Sequence, residues 1–296
     1  MRVERLGDLG ASADVLRALG HAAGLVNLPP PAALIGEWFG STAVIAPSVD
    51  VRPVDPAAVF DGPTGPGGDA VGGGWIGYLS YPDPGADSAP PRIPPAAGGW
   101  TDCVLRLDDA DCWWFESLSG QPMPTWVVAA LSATPDPADW RITWQDPDAE
   151  RHRDGVLSCL AAIRAGEIYQ ACVCTQFTGT LTGSPLEFFA DAVARTAPAR
   201  AAYLAGRWGA VASLSPELFL RRTGDRVTSS PIKGTLPLHA QPDRLRSSAK
   251  DVAENIMIVD LVRNDLGHVA EIGSVTVPEL LSVRRAPGAW HLVATV

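Results

Sequence analysis

Asp251 and Glu254 stand three residues apart in the run Ser247-Ser-Ala-Lys-Asp-Val-Ala-Glu-Asn-Ile-Met-Ile-Val-Asp-Leu-Val-Arg-Asn-Asp-Leu-Gly267. On a helix that spacing projects both carboxylates from one side of the first turns. Paired carboxylate oxygens suit Mg²⁺, which is held by one or two carboxylates together with substrate oxygens. A purely structural account exists too. Ser248-x-x-Asp251 resembles a capping box, and an acid is favoured at the positive end of a helix. Glu254, a turn further in, gains less from that field. Pro231-Ile-Lys233-Gly-Thr235 reads as a tight turn after a strand, carrying one lysine. Such a lysine is ordinarily a solvated charge. To act as a nucleophile it must be neutral, and bringing a lysine from about 10.4 to about 7.5 corresponds to roughly 4 kcal/mol. Burial or a neighbouring cation would have to supply that.

Two shorter strings carry less. Gly72-x-Gly74-x-x-Gly77 matches a dinucleotide-binding fingerprint, but the mechanism needs a strand before it and a helix N-terminus after it. Here a Pro/Gly loop precedes and a strand-like Tyr-Leu-Ser-Tyr follows, so the string reads as a loop entering a strand. Cys172-x-Cys174 would place two thiols on one strand face, with no third or fourth ligand at metal spacing. The two are expected to be small buried hydrophobes.

The elements that must position these groups differ between the halves. Residues 1–150 hold 19 of the 27 prolines and 8 of the 10 tryptophans, a texture of short strands joined by Pro/Gly loops. Asp61–Gly74 and Tyr81–Trp100 are expected as loops, with Trp75–Tyr81 a buried strand between them. In the second half Val156, Leu157, Leu160 and Ile163 fall at helical spacing and Gly166 supplies a stop. Glu167–Phe177, rich in β-formers, is expected as a strand. Pro185–Thr196 is expected as a helix packing through Leu186, Phe189 and Val193. Hairpins are expected for Ala201–Ala205 with Ala210–Leu214, and for Glu217–Arg222 with Arg226–Ser230. The last helix opens near Ser248 and ends at Gly267, with Val252, Ile256 and Val259 as its core stripe. The Thr134–Glu150 stretch separates a Pro/Gly-rich, β-rich region, residues 1–145, from a second region, residues 146–296.

With 46% hydrophobic and 19% charged residues, the 296-residue chain has ample material for a core. A net charge of −10 argues against a nucleic-acid partner. No apolar run approaches the roughly 18 residues of a membrane span, and no leader is read at the start. Five cysteines without a C-x-x-C pair fit a reduced compartment, so a cytoplasmic location and no membrane partner are expected.

Taken together, Gly166-Glu-Ile-Tyr-Gln170, Ser215-Pro-Glu-Leu-Phe219, Pro231-Ile-Lys-Gly-Thr235, Lys250–Gly267 and His291-Leu-Val resemble, in order and spacing, the chorismate-utilising enzymes. That family includes the anthranilate synthase and aminodeoxychorismate synthase components I and the isochorismate and salicylate synthases. The resemblance is strong over residues 150–296 and only in outline before, through Gly-Gly-Trp-Ile-Gly-Tyr and Glu37-Trp-Phe-Gly-Ser. It implies an α+β, two-layer fold of large mixed or antiparallel sheets with outer helices; the hairpins agree and no βαβ repetition opposes. Gln170 stands where the isochorismate and salicylate enzymes use a water-activating lysine, which favours an ammonia-using enzyme. Lys233 stands where the anthranilate enzymes typically carry alanine, which favours the aminodeoxychorismate branch.

The resemblance further implies that Lys233 attacks the chorismate ring and displaces the C4 hydroxyl before ammonia displaces the lysine. Splitting one hard substitution into two is the service of a covalent nucleophile. Glu217 would protonate the departing hydroxyl, Glu254 with Asp251 would hold Mg²⁺, and Gln170, Thr235 and His291 would contact substrate. Ammonia would come from a glutamine amidotransferase (glutaminase) subunit, in the service of 4-aminobenzoate and folate synthesis. Anthranilate synthase component I, and a non-catalytic remnant that binds a partner, are the alternatives. The chain departs from the family in Leu236-Pro-Leu, where Arg-Pro-Arg is common, and in Pro198-Ala-Arg-Ala. It stops at His291–Val296, before a Gly-rich segment and a second acidic metal ligand. The catalytic domain is therefore expected to be incomplete at its C-terminus, and the chain inactive as a synthase.

Overall fold

Prolines and glycines cut the chain into strands of two to eight residues, and among the described residues of the computed structural model every strand pairing is antiparallel. The structure describes residues 1–61, 70–81 and 93–296. In chain order the elements are β1 (Arg2–Gly7), α1 (Ser12–Leu25), β2 (Ala32–Trp38), β3 (Ser41–Ala46), β4 (Arg52–Pro53), β5 (Gly74–Leu79), β6 (Ala96–Thr101), β7 (Cys103–Leu107), β8 (Trp113–Ser117) and α2 (Thr125–Leu131). There follow β9 (Trp140–Gln145), α3 (Ala149–Ala165), β10 (Thr178–Gly183), α4 (Pro185–Thr196), β11 (Arg200–Gly206), β12 (Gly209–Ser213), β13 (Leu218–Thr223), β14 (Arg226–Ser230) and β15 (Ile232–Pro237). Then α5 (Arg244–Ser247), α6 (Ala249–Gly267), β16 (Glu279–Ala286) and β17 (Ala289–Thr295) complete the chain.

The chain divides into two units, residues 1–135 with 189–296, and residues 136–188. In the first, a seven-stranded sheet runs β1-β8-β7-β3-β2-β11-β12. It takes strands from both sides of residue 145. Its central strand β3 is Ala/Val/Ile-rich and buried from Ala43 to Ala46, as a strand covered on both faces should be. On one face Val44, Ala46, Val104 and Leu204 pack with Ala97, Ile76 and Tyr78 of the small β4-β6-β5 sheet. On the other, Ile45, Trp113 and Phe115 are fully buried, each side chain worth about 1.5–3 kcal/mol. Trp113 donates its indole N–H to the Gly10 carbonyl (3.0 Å). Arg17 of α1 pairs with Asp191 of α4 (2.8 Å).

Glu116 of β8 is fully buried and fully used. It accepts from Arg106 Nε (2.5 Å) and from the backbone N–H groups of Val71 (2.6 Å) and Gly72 (2.8 Å). The Gly72-x-Gly74-x-x-Gly77 string is thus a loop entering β5, held by a carboxylate and followed by no helix. The expected loop Tyr81–Trp100 ends earlier than the composition suggested, because Ala96–Thr101 pairs along the whole of β5. Residues 62–69 and 82–92 of the two expected loops lie outside the described residues.

In the second unit, α3 begins at Asp148, whose carboxylate accepts from Arg151 N (2.9 Å), and ends at Gly166 with φ 75°. β9 pairs with β10, and Trp140 meets Phe188 edge-on at 5.0 Å. Here the sequence reading needs correction. Glu167–Phe177 is not a strand; the strand starts at Thr178, the residue that finds a partner in Gln145. Without a ladder, β-forming residues alone do not make a strand. Cys172 and Cys174 are accordingly exposed rather than buried.

Candidate functional site

The first unit carries a second small sheet, β15-β17-β16, with α6 packed on β15 and β17. Ile232 pairs with Val293 and Thr235 with His291, so three steps on β15 match two on β17. The extra residue makes a bulge at Lys233-Gly234, and a bulge re-aims the side chains it carries. Gly234 sits at φ +91°, and a Cβ there would lie 3.0 Å from Asp251 Cβ and 3.2 Å from Asp251 Cγ. Glycine lets the bulge close onto the first turn of α6.

The Lys233 side chain is one-third exposed. Its Nζ donates to the Ile232 carbonyl (2.8 Å) and lies 3.8 Å from Glu217 Oε1. Glu217, at the entry to β13, accepts from Ile232 N–H (2.8 Å). One carboxylate therefore holds the strand that bears the lysine and faces the lysine's ammonium. Thr235 Oγ1 lies 3.0 Å from His291 Nδ1 across the β15–β17 pair. Burial holds the His291 imidazole below its ordinary 6.5, against the opposing pull of the Glu217 charge. The hydroxyl and the ring nitrogen share one proton, and the imidazole tautomer decides which of them donates.

α6 opens as expected: Ser248 Oγ accepts from Asp251 N–H (3.2 Å). Glu254, one turn further on, pairs with Lys250 (3.5 Å). Asp251 and Glu254 are hard oxygen donors of the number Mg²⁺ takes from protein, and their chemistry fits that ion. Among the described residues they do not belong to a group of three or more metal-ligating side chains.

The structure thus brings Lys233, Glu217, Thr235, His291 and Asp251 together, with Glu254 on the same helix as Asp251. Gln170 lies in the second unit, half-buried on the irregular stretch before β10. The core stripe of α6 also needs correction. Ile256 is 47% exposed, whereas Val259 is buried with Ala294 and Val296, flanked by Val262 and Leu266. The buried face therefore runs through Asn255, which sequence reasoning missed. Asn255 is fully buried and its Nδ2 donates to the Leu292 carbonyl (3.1 Å), tying the helix of Glu254 to the strand of His291. Its Oδ1 has no hydrogen-bond partner among the described residues. The available signal was an asparagine four residues before Val259, on the apolar side of the helix. A cavity of about 750 Å³ lined by Leu28, Pro30, Val51, Arg207 and Trp208 lies elsewhere and includes none of these residues.

The chain is similar to known proteins. Residues 58–296 match the family described as chorismate binding enzyme. The chain is 39% identical to aminodeoxychorismate synthase component 1 of Klebsiella aerogenes over 60% of its own length and 40% of the relative's. It is 36% identical to the aminodeoxychorismate synthase of Streptomyces griseus over 75% of its length and 35% of that protein's. The chain thus spans well under half the length of these relatives. Among solved structures, anthranilate synthase component I from Streptococcus pneumoniae superposes with a TM-score of 0.59 at 21% identity, covering 76% of this chain and 56% of that one. The menaquinone-specific isochorismate synthase of Escherichia coli superposes with a TM-score of 0.56 at 12% identity, covering 99% and 69%. These likenesses establish the α+β fold expected from the sequence, and with the family match over residues 58–296 they make the chain a member of the chorismate-binding enzymes.

Proposed function

We propose that this chain carries the lysine-bearing part of the chorismate site of an aminodeoxychorismate synthase component 1, within residues 146–296. The observation that carries the reading is Lys233 Nζ lying 3.8 Å from Glu217 Oε1. A proton passed from the ammonium to that carboxylate creates two reagents at once: a neutral amine and a carboxylic acid. The amine attacks the chorismate ring, and the acid gives its proton to the hydroxyl that leaves from C4, so charge balances within the pair. Ammonia then displaces the lysine to give 4-amino-4-deoxychorismate. Thr235 and His291 would offer their hydroxyl and imidazole to substrate oxygens, and Gln170 is proposed as a further substrate contact. Asp251 and Glu254 would hold Mg²⁺, which supplies positive charge to clamp a substrate carboxylate. A glutamine amidotransferase subunit in the cytoplasm would supply the ammonia, and the product would go toward 4-aminobenzoate and folate. No described helix is long and apolar enough to cross a membrane.

The test is intact-mass spectrometry after incubation with chorismate and Mg²⁺ in the absence of ammonia. The expected result is a mass increase of chorismate less one water, mapped to Lys233 and absent in Lys233→Ala. An adduct on another residue, or none while chorismate is bound, overturns the covalent role.

A further inference from the structure

Cys172 and Cys174 are unused by the chemistry above, yet their Sγ atoms lie 3.6 Å apart, about 1.6 Å farther than a disulfide bond length. Only Val173 separates them, and the two sulfurs face each other. The stretch belongs to no ladder among the described residues, so its backbone is free to close that gap without breaking a sheet. His152 Nε2 lies 3.3 Å from the Val173 carbonyl and holds the intervening residue to α3. The chain's other thiols differ sharply. Cys112 is buried, Cys103 and Cys159 are half-buried, and burial with the Asp102 charge pushes the Cys103 thiol up to about 11. A thiolate is the nucleophile in exchange, and access decides which one reacts.

We propose that Cys172 and Cys174 form a dithiol modification site that closes to a disulfide on reaction with low-molecular-weight disulfides. One thiolate attacks a sulfur of the external disulfide, forming a mixed disulfide and releasing one external thiol. The second protein thiol, after losing its proton, attacks the protein sulfur of that mixed disulfide and releases the other. Two protein thiols are oxidised and one external disulfide is reduced to two thiols. The closed pair restrains the backbone two residues beyond Gln170.

The experiment treats the full 296-residue chain with glutathione disulfide under native conditions and counts free thiols. The expected result is a fall from five thiols to three. Intact mass should drop by two hydrogens with no glutathione retained, and dithiothreitol should reverse the change. In Cys172→Ser the mixed disulfide should persist on Cys174, because no neighbour remains to expel glutathione. Five surviving thiols in the wild type, or a persistent glutathione adduct there, overturns the site.

Discussion

Replacing Gly234 by alanine tests whether the lysine-bearing bulge really rests on the acidic turn of α6. Two costs add. At φ +91° an alanine loses about 1–2 kcal/mol to the left-handed backbone. Its Cβ would also stand 3.0 Å from Asp251 Cβ and 3.3 Å from Leu245 Cδ2, closer than ordinary contact. Leu245 is fully buried and yields little, so crowding adds about 1–2 kcal/mol more. Gly288, in the turn between β16 and β17, is the control: φ is +76° and nothing lies within 4 Å. Gly288→Ala should therefore show the backbone cost alone. In urea, with a slope of about 3 kcal/mol per molar, Gly234→Ala should unfold about 1 M earlier than wild type and Gly288→Ala about 0.5 M earlier. Equal midpoints for the two variants would refute the contact between the bulge and Asp251.

Other outcomes follow from the same geometry. His291 should titrate below 6.5 by NMR, assigned with His291→Gln. Because its folded value is depressed, its contribution to stability is present above pH 6.5 and fades as pH falls through the window below; a midpoint above 6.5 would contradict its burial. Glu116→Ala should cost about 3–5 kcal/mol in urea unfolding, since it strands Arg106 and two backbone N–H groups; a loss under 1 kcal/mol would mean the Gly72 loop is not held there. Asn255→Asp should cost about 3 kcal/mol at pH 7, because a buried carboxylate cannot donate to the Leu292 carbonyl. Stability should return in acid as the carboxyl gains a proton, and a pH-independent loss would refute the link.

Much of the site was legible because its signals are local. A serine three residues before an acid, ahead of an apolar run, is enough to start α6 at Ser248, since capping is settled within one turn. The β13–β14 and β11–β12 hairpins followed from short turns between β-forming runs. What could not be read depends on distant partners. The stretch 167–177 has strand composition, but whether it pairs is decided by β9, which took Thr178–Gly183 instead. The face that α6 buries is chosen by Ala294 and Val296, some forty residues away, and so Asn255 rather than Ile256 turns inward. The approach of Glu217 to Lys233 joins residues sixteen apart across a hairpin and a bulge, and no spacing rule anticipates a bulge.

The most direct test of the account is a calorimetric titration of chorismate into the chain with and without Mg²⁺, repeated on Lys233→Ala and Glu254→Gln. The account predicts saturable binding that Mg²⁺ strengthens, a Glu254→Gln variant that no longer responds to Mg²⁺, and a Lys233→Ala variant that binds without forming an adduct. Absence of binding by a folded wild-type chain would contradict it, leaving the motifs as family likeness without a working site.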